Sequence, residues 1–196
     1  MPREISQDEL KEIVVRVQNG SAEDFQRLYD LFSKPIFNFV WRLIGSPEDA
    51  EDITQDTFVK VHTDLKNLRE PKQFKFWLFR IARNEVYQKL RRSQKTTEVS
   101  IDDEDTDYYN FLADDASSSL DPETQVLCRE LNDTIENALM KMPPRYRDVF
   151  VLAVFQKMSY EDITKVVGRS LLSVKTDIYR ARLIAKEVLG EYLKKV

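Results

Sequence analysis

The sequence predicts an all-α protein of two small helical domains joined by an acidic, flexible linker. Apolar residues recur at helical spacing along most of the chain, and no run alternates at the period of a strand. Only 4 Gly and 7 Pro interrupt 196 residues, so long helices meet few obstacles. Between Glu98 and Glu123 the periodicity gives way to ten acidic residues and no basic one. Such a stretch repels itself and offers little apolar surface to bury.

The helix signals run in order. Ser6 with Glu9 makes a capping-box pattern, and Gly20 can stop the first helix. Ser21-Ala22-Glu23-Asp24 opens the second, with Phe25, Leu28, Tyr29 and Phe32 on one stripe. Pro35 is expected to kink or restart it before Ile36–Ile44, and Gly45 to end it. Ser46-Pro47-Glu48-Asp49 supplies a cap, a first-turn proline and acids at the positive end of the helix dipole. After a loop containing Pro71, a long helical stretch runs from about Phe74 to Arg92. The first domain is therefore drawn at 1–92.

Residues 93–121 read as linker, with Ser117-Ser118-Ser119 in it and Tyr108, Tyr109, Phe111 and Leu112 available for transient docking. The second domain, 122–196, begins at Asp121-Pro122-Glu123-Thr124. Val126, Leu127, Leu131, Ile135, Leu139 and Met142 form its first apolar stripe. Pro143-Pro144 breaks that helix and Tyr146–Phe155 resumes. Ser159 then caps a short helix carrying Ile163, Val166 and Val167, Gly168 permits a tight turn, and Ser170 caps a second helix. Val174, Ile178, Ala181, Ala185 and Leu189 are its buried face. Two helices joined by a glycine-containing turn make a helix-turn-helix. The opposite face presents Leu172, Ser173, Lys175, Thr176, Tyr179, Arg180 and Arg182. Its first turns suit base edges in a major groove and its later arginines suit phosphates. Arg169 to Val196 carries seven basic and three acidic residues.

Charge sharpens this picture. The net charge is −4, but setting aside the ten acids of Glu98–Glu123 leaves +6, a mildly basic body tied to an acidic segment. The stretch FKFWLFRIARNEVYQKLRR (Phe74–Arg92) holds six basic residues against one acid, Glu85, interleaved with Phe74, Phe76, Trp77, Phe79 and Tyr87. Cations hold a phosphate backbone while aromatic rings stack on unpaired bases. Some of those rings equally suit a core. Trp77, Arg80, Asn84 and Tyr87, at spacings of three and four, share one face. By contrast, Ser46–Thr57 has five acids and no base, which fits either a protein partner with a basic surface or a solvated helix.

Several classes are disfavoured. No apolar run approaches the roughly 20 residues of a membrane span, and MPREISQDEL lacks a secretory signal's apolar stretch. The single cysteine, Cys128, forms no internal disulfide, which suits a reducing cytoplasm. One histidine, His62, and one cysteine make no familiar triad or zinc site, and there is no Gly-rich phosphate loop. No catalytic residue, metal or cofactor is expected. An enzyme with a helix-turn-helix, such as a recombinase or nuclease, is thus poorly supported. A plain activator or repressor would use the helix-turn-helix but leave the aromatic-basic helix and the acidic face without a role.

The two constellations in this order, separated by an acidic linker, resemble the sigma-70 family in its extracytoplasmic-function branch. DAEDITQDTFVKVH (Asp49–His62) resembles the helix that docks on the clamp of the polymerase β′ subunit. FWLFRIARNEVYQKLRR (Phe76–Arg92) resembles the promoter-melting helix. Met142–Glu187 resembles region four, whose helix-turn-helix reads the minus-thirty-five element. The resemblance implies an alternative sigma factor in the cytoplasm, with no cofactor. Its implied partners are core RNA polymerase (β′ clamp and β flap), promoter DNA and an anti-sigma factor. It assigns Asp49, Asp52, Gln55 and Asp56 to the clamp. Trp77, Arg80, Asn84 and Tyr87 fall to the melted strand, and the loop Lys66–Gln73 to capture of an extruded base. Ser173, Lys175, Thr176, Tyr179 and Arg180 fall to the minus-thirty-five groove. Two departures stand out: Thr164 replaces a usual alanine, and Leu171-Leu172 a more polar pair.

Overall fold

The computed structural model describes the backbone of residues 5–95 and 122–192 and the side chains of 5–93 and 130–190. The linker expectation, Tyr108 and its neighbours included, falls almost wholly outside them. Among the described residues every regular element is helical. The order is α1 (Gln7–Gln18), α2 (Ala22–Ile44), α3 (Pro47–Asp64), two 3-10 turns (Leu65–Asn67 and Pro71–Gln73) and α4 (Phe74–Lys95). The second domain has α5 (Pro122–Lys141), α6 (Pro144–Val154), α7 (Tyr160–Val167) and α8 (Leu171–Tyr192).

Serine caps start the helices where the sequence placed them. Ser6, Ser21, Ser46 and Ser159 each accept a hydrogen bond from the backbone N–H three residues on, at 3.1–3.2 Å. Ser170 does so for Ser173 at 3.3 Å. Each satisfies one of the four orphan donors at a helix start. Pro35 does not restart α2, which is one helix through it. Proline removes a single N–H, whereas Leu28, Phe32, Ile36, Phe39, Val40 and Leu43 continue one buried stripe across it. Packing on both sides therefore holds the helix together. α4 likewise runs three residues beyond the expected Arg92.

The N-terminal core is aromatic. Phe39 meets Phe79 edge-on at 5.2 Å and Phe32 meets Phe74 at 5.5 Å, geometries that add to area burial. Polar ties set the surrounding elements: Arg16 forks onto Asp24 at 2.8 and 3.0 Å, fixing α1 to α2. Gln18 Nε2 donates to the Leu65 and Leu68 carbonyls at 3.0 and 2.8 Å, anchoring the loop that leads to α4. In the C-terminal domain Leu139, Met142, Leu152, Ile163, Val174 and Ile178 are buried together.

The domains do not merely share a tether; they pack on each other. α2 lies against α5 and α6, and α4 against α7. Arg147, buried in α6, donates across to the Leu43 carbonyl at 2.5 Å and back to Met140 and Met142 carbonyls at 2.9 and 3.0 Å. It thereby satisfies the last carbonyls of two helices at once. Gly45 (φ 81) ends α2 just there, and a Cβ on it would meet Met140 Sδ at 2.9 Å. The left-handed φ favours glycine here, and any side chain would also push the flexible end of Met140 aside.

Candidate nucleic-acid interface

The helix-turn-helix has α7 and α8 joined through Gly168 (φ 68), which takes the left-handed conformation the sharp turn needs. Val174, Ile178 and Ala181 bury one face of α8, so the other face turns outward. Lys175, Thr176, Tyr179 and Arg180 are all exposed there, and Ser173 is half-buried beside them. Thr176 Oγ1 donates to its own helix at Leu172 O (2.9 Å). Arg180 donates to Tyr146 OH at 2.8 Å. Leu172, on the first turn, is 76% exposed.

An ion-pair network that sequence reasoning did not find positions α8. Asp177 is 1% exposed and accepts from Arg145 Nε at 3.0 Å and Arg169 Nη1 at 2.7 Å. Asp148, fully buried in α6, accepts from Arg169 Nη2 at 2.9 Å. Arg169 thus bridges two buried carboxylates, tying α6 to the turn before α8. Arg145 Nη2 also donates to Ser173 Oγ at 3.0 Å, so this serine is partly engaged inside the domain. The signal available in the sequence was Asp177, the one acid between Arg169 and Arg182.

On α4 the four candidate residues have different surroundings. Trp77 is half-buried and packs against the core beside Phe74, with ring centroids 6.2 Å apart. Asn84 is exposed. Arg80 donates through Nε (3.1 Å) and Nη2 to the Lys165 carbonyl in α7. Tyr87 OH donates to Asp148 Oδ2 at 3.1 Å. Burial, followed by the nearby Asp148 carboxylate, pushes the Tyr87 phenol up to about 12, so it remains a donor. Arg83, absent from the expected set, is the strongest link: its Nε reaches Asp148 Oδ2 at 2.7 Å and its guanidinium lies 4.4 Å from the Tyr87 ring.

On α3, Asp52, Gln55 and Asp56 are exposed along one side. Asp49 instead is half-buried and pairs with Lys89 Nζ of α4 at 2.5 Å. Next to the acids lies an apolar strip with Val59 62% and Tyr29 37% exposed, in a shallow groove that includes Phe25, Phe58 and His62. Among the described residues no group of three His, Cys, Asp or Glu could hold a metal, and no helix is long and apolar enough to cross a membrane.

Fold and interface together define a two-domain helical protein with a helix-turn-helix and a second, aromatic-basic helix. Sigma-70 region 2 matches residues 28–96, and Sigma-70 region 4 matches residues 132–183. The chain belongs to the sigma-70 family of RNA polymerase sigma factors, in its extracytoplasmic-function (ECF) branch. It is 26% identical to the ECF RNA polymerase sigma factor SigW of Bacillus subtilis over 182 residues, 93% of this chain and 97% of that one. To the RNA polymerase sigma factor YlaC of the same species it is 31% identical over 168 residues, 84% and 91% of the two chains. The fold resembles CnrH, solved in complex with the cytosolic domain of CnrY (TM-score 0.67, 20% identity, 93% of this chain and 97% of that). It also resembles Bartonella quintana RpoE, solved with the anti-sigma factor NepR (TM-score 0.66, 24% identity, 86% and 98%).

Proposed function

We propose that this protein is an alternative sigma factor that binds core RNA polymerase and carries it to promoters by two DNA-reading helices. The observation that carries the reading is the ordered pair of modules. An aromatic-basic helix sits on a region-two fold, and a helix-turn-helix with its polar face outward sits on a region-four fold. The role is binding and positioning, without catalysis, and its workplace is the cytoplasm. Residues 1–92 engage the polymerase and the minus-ten element, 93–121 connect, and 122–196 engage the minus-thirty-five element and the β flap. An anti-sigma factor is the natural antagonist, as in the RpoE–NepR complex.

Core docking uses the exposed side of α3. Asp52, Gln55 and Asp56 offer charge and hydrogen bonds to a basic surface, and Val59 with Tyr29 offers the apolar area that makes such contacts last. Asp49 is tied to Lys89, so it contributes less. Single exposed ion pairs contribute about 0.2–1 kcal/mol, so combined replacement of Asp49, Asp52 and Asp56 by alanine should weaken core binding roughly tenfold. Co-purification with core polymerase measures this, with helix content as the control. Unchanged affinity would place the docking surface elsewhere.

In the major groove Leu172 and the Thr176 methyl present apolar contacts of the kind thymine methyls accept, and Lys175 and Arg180 hold phosphates. Lys175→Ala should lower the salt slope of binding by about one without altering the preferred sequence. Leu172→Ala and Thr176→Ala should alter the sequence selected from a random duplex pool. Identical selected sequences would count against base reading by this face.

A further inference from the structure

Three arginines from three separate elements converge on one crevice. Arg83 of α4, Arg145 at the start of α6 and Arg169 in the turn before α8 line it, with Tyr87, Ser170 and Ser173. Its volume is about 540 Å³, within the range of about 300–1,000 Å³ usual for small-molecule sites. No acidic residue lines it. The carboxylates that hold these arginines, Asp148 and Asp177, are 0% and 1% exposed and lie behind them.

The buried acids aim the guanidinium groups without using them up. Asp148 takes only Nε of Arg83, at 2.7 Å. Arg145 is engaged through Nε, to Asp177, and through Nη2, to Ser173. Among the described residues, both Nη groups of Arg83 and Nη1 of Arg145 make no hydrogen bond. Donors whose orientation is fixed from behind in this way are preorganised for a ligand. Ser170 stands exposed as the cap of α8, where first-turn N–H groups and the helix dipole favour an anion.

We propose that this crevice binds the terminal phosphate of a small phosphorylated molecule, a phosphomonoester or a diphosphate. A phosphomonoester carries a charge of about −1.5 to −2 at pH 7 and three free oxygens, one for each arginine. An internal phosphodiester of DNA carries a single charge and two free oxygens, and its chain must leave on both sides. The crevice is open to solvent, so it grips the phosphate end and leaves the remainder of the molecule outside. Arg83 belongs to the first domain and Arg145, Arg169 and Ser170 to the second, so the site is complete only where the two meet. It goes beyond promoter reading: Lys175, Thr176 and Tyr179 on the outer face of α8 lie outside the crevice.

The test is isothermal titration calorimetry of the full chain in a low-salt buffer free of phosphate. The probes are inorganic pyrophosphate, thymidine monophosphate, thymidine, and the dinucleotide thymidylyl-thymidine, whose one phosphate is a diester. Pyrophosphate and the monophosphate should bind one to a chain, at least about tenfold more tightly than the dinucleotide, and thymidine should give no heat. Ser170→Asp keeps a good helix cap but sets a carboxylate in the crevice. It should lower pyrophosphate affinity at least about tenfold at unchanged helix content. Arg83→Gln removes a charge-assisted contact and should lower it about tenfold. Lys186→Gln, exposed on α8 away from the crevice, should leave it unchanged. Should Arg83→Gln lose helix content, Arg145→Gln takes its place, since that side chain is 60% exposed and Asp177 keeps Arg169. Absence of pyrophosphate binding at millimolar concentration would overturn the proposal, as would equal affinity for the dinucleotide and the monophosphate. So would wild-type affinity in folded Ser170→Asp or Arg83→Gln, or a loss in Lys186→Gln as large as theirs.

Discussion

Asp177→Ala is expected to destabilise the C-terminal domain strongly and weaken its binding to DNA. The side chain is 1% exposed and holds Arg145 at 3.0 Å and Arg169 at 2.7 Å. Stranding a buried charge costs about 3–5 kcal/mol. Here Arg145 is 60% exposed and Arg169 keeps Asp148 at 2.9 Å, so the loss should sit at the lower end, about 3 kcal/mol, a sizeable share of a small domain's stability. Asp177→Asn keeps an acceptor for Arg169 and should lose less, about 1–3 kcal/mol. Urea unfolding followed by far-ultraviolet circular dichroism checks both. A loss under about 1 kcal/mol for Asp177→Ala would mean that apolar packing, and not this network, holds α8 on α6.

The second large effect concerns melting. Asn84→Ala should leave the fold and core binding intact, because Asn84 is exposed, yet reduce transcription from duplex promoters. Loss of a base contact of about 1–3 kcal/mol corresponds to a roughly five- to 150-fold drop in opening. On a promoter carrying a mismatched bubble, transcription should recover towards wild type, since extrusion is then already done. Tyr87→Ala is the more complex variant. It removes the ring proposed to meet the strand and also the hydroxyl that binds Asp148, so any loss of opening would come with a weakened contact between the domains. Equal impairment of Asn84→Ala on duplex and bubble would refute a melting role for this residue.

What the sequence revealed and what it hid follow the range of the forces involved. Caps at Ser6, Ser21, Ser46, Ser159 and Ser170 act within three residues, and the Gly168 turn is a local backbone requirement, so these were legible. The apolar stripes of α2 and α8 follow from helical period alone. Pro35 kinks or restarts the helix on local grounds, but the burial of Ile36, Phe39 and Val40 beyond it keeps α2 from restarting there. Tyr29 read as part of the buried stripe, but α3 leaves it 37% exposed beside Val59. The Arg83–Asp148 pair joins residues 65 apart, and the Arg42–Glu136 pair joins two domains. No spacing rule reaches across a domain boundary. These pairs depend on how two finished bundles meet, which is why Arg83 counted only as one of the six basic residues of Phe74–Arg92.

Runoff transcription with core RNA polymerase, the purified chain and a library of genomic promoter fragments separates a sigma factor from a plain DNA-binding regulator. Discrete transcripts should appear only with the chain, from fragments sharing an upstream and a downstream element. Leu172→Ala and Thr176→Ala should change which upstream elements are used, and Asn84→Ala should suppress duplex templates alone. A chain that binds core polymerase yet yields the same transcripts as core alone would contradict the sigma reading.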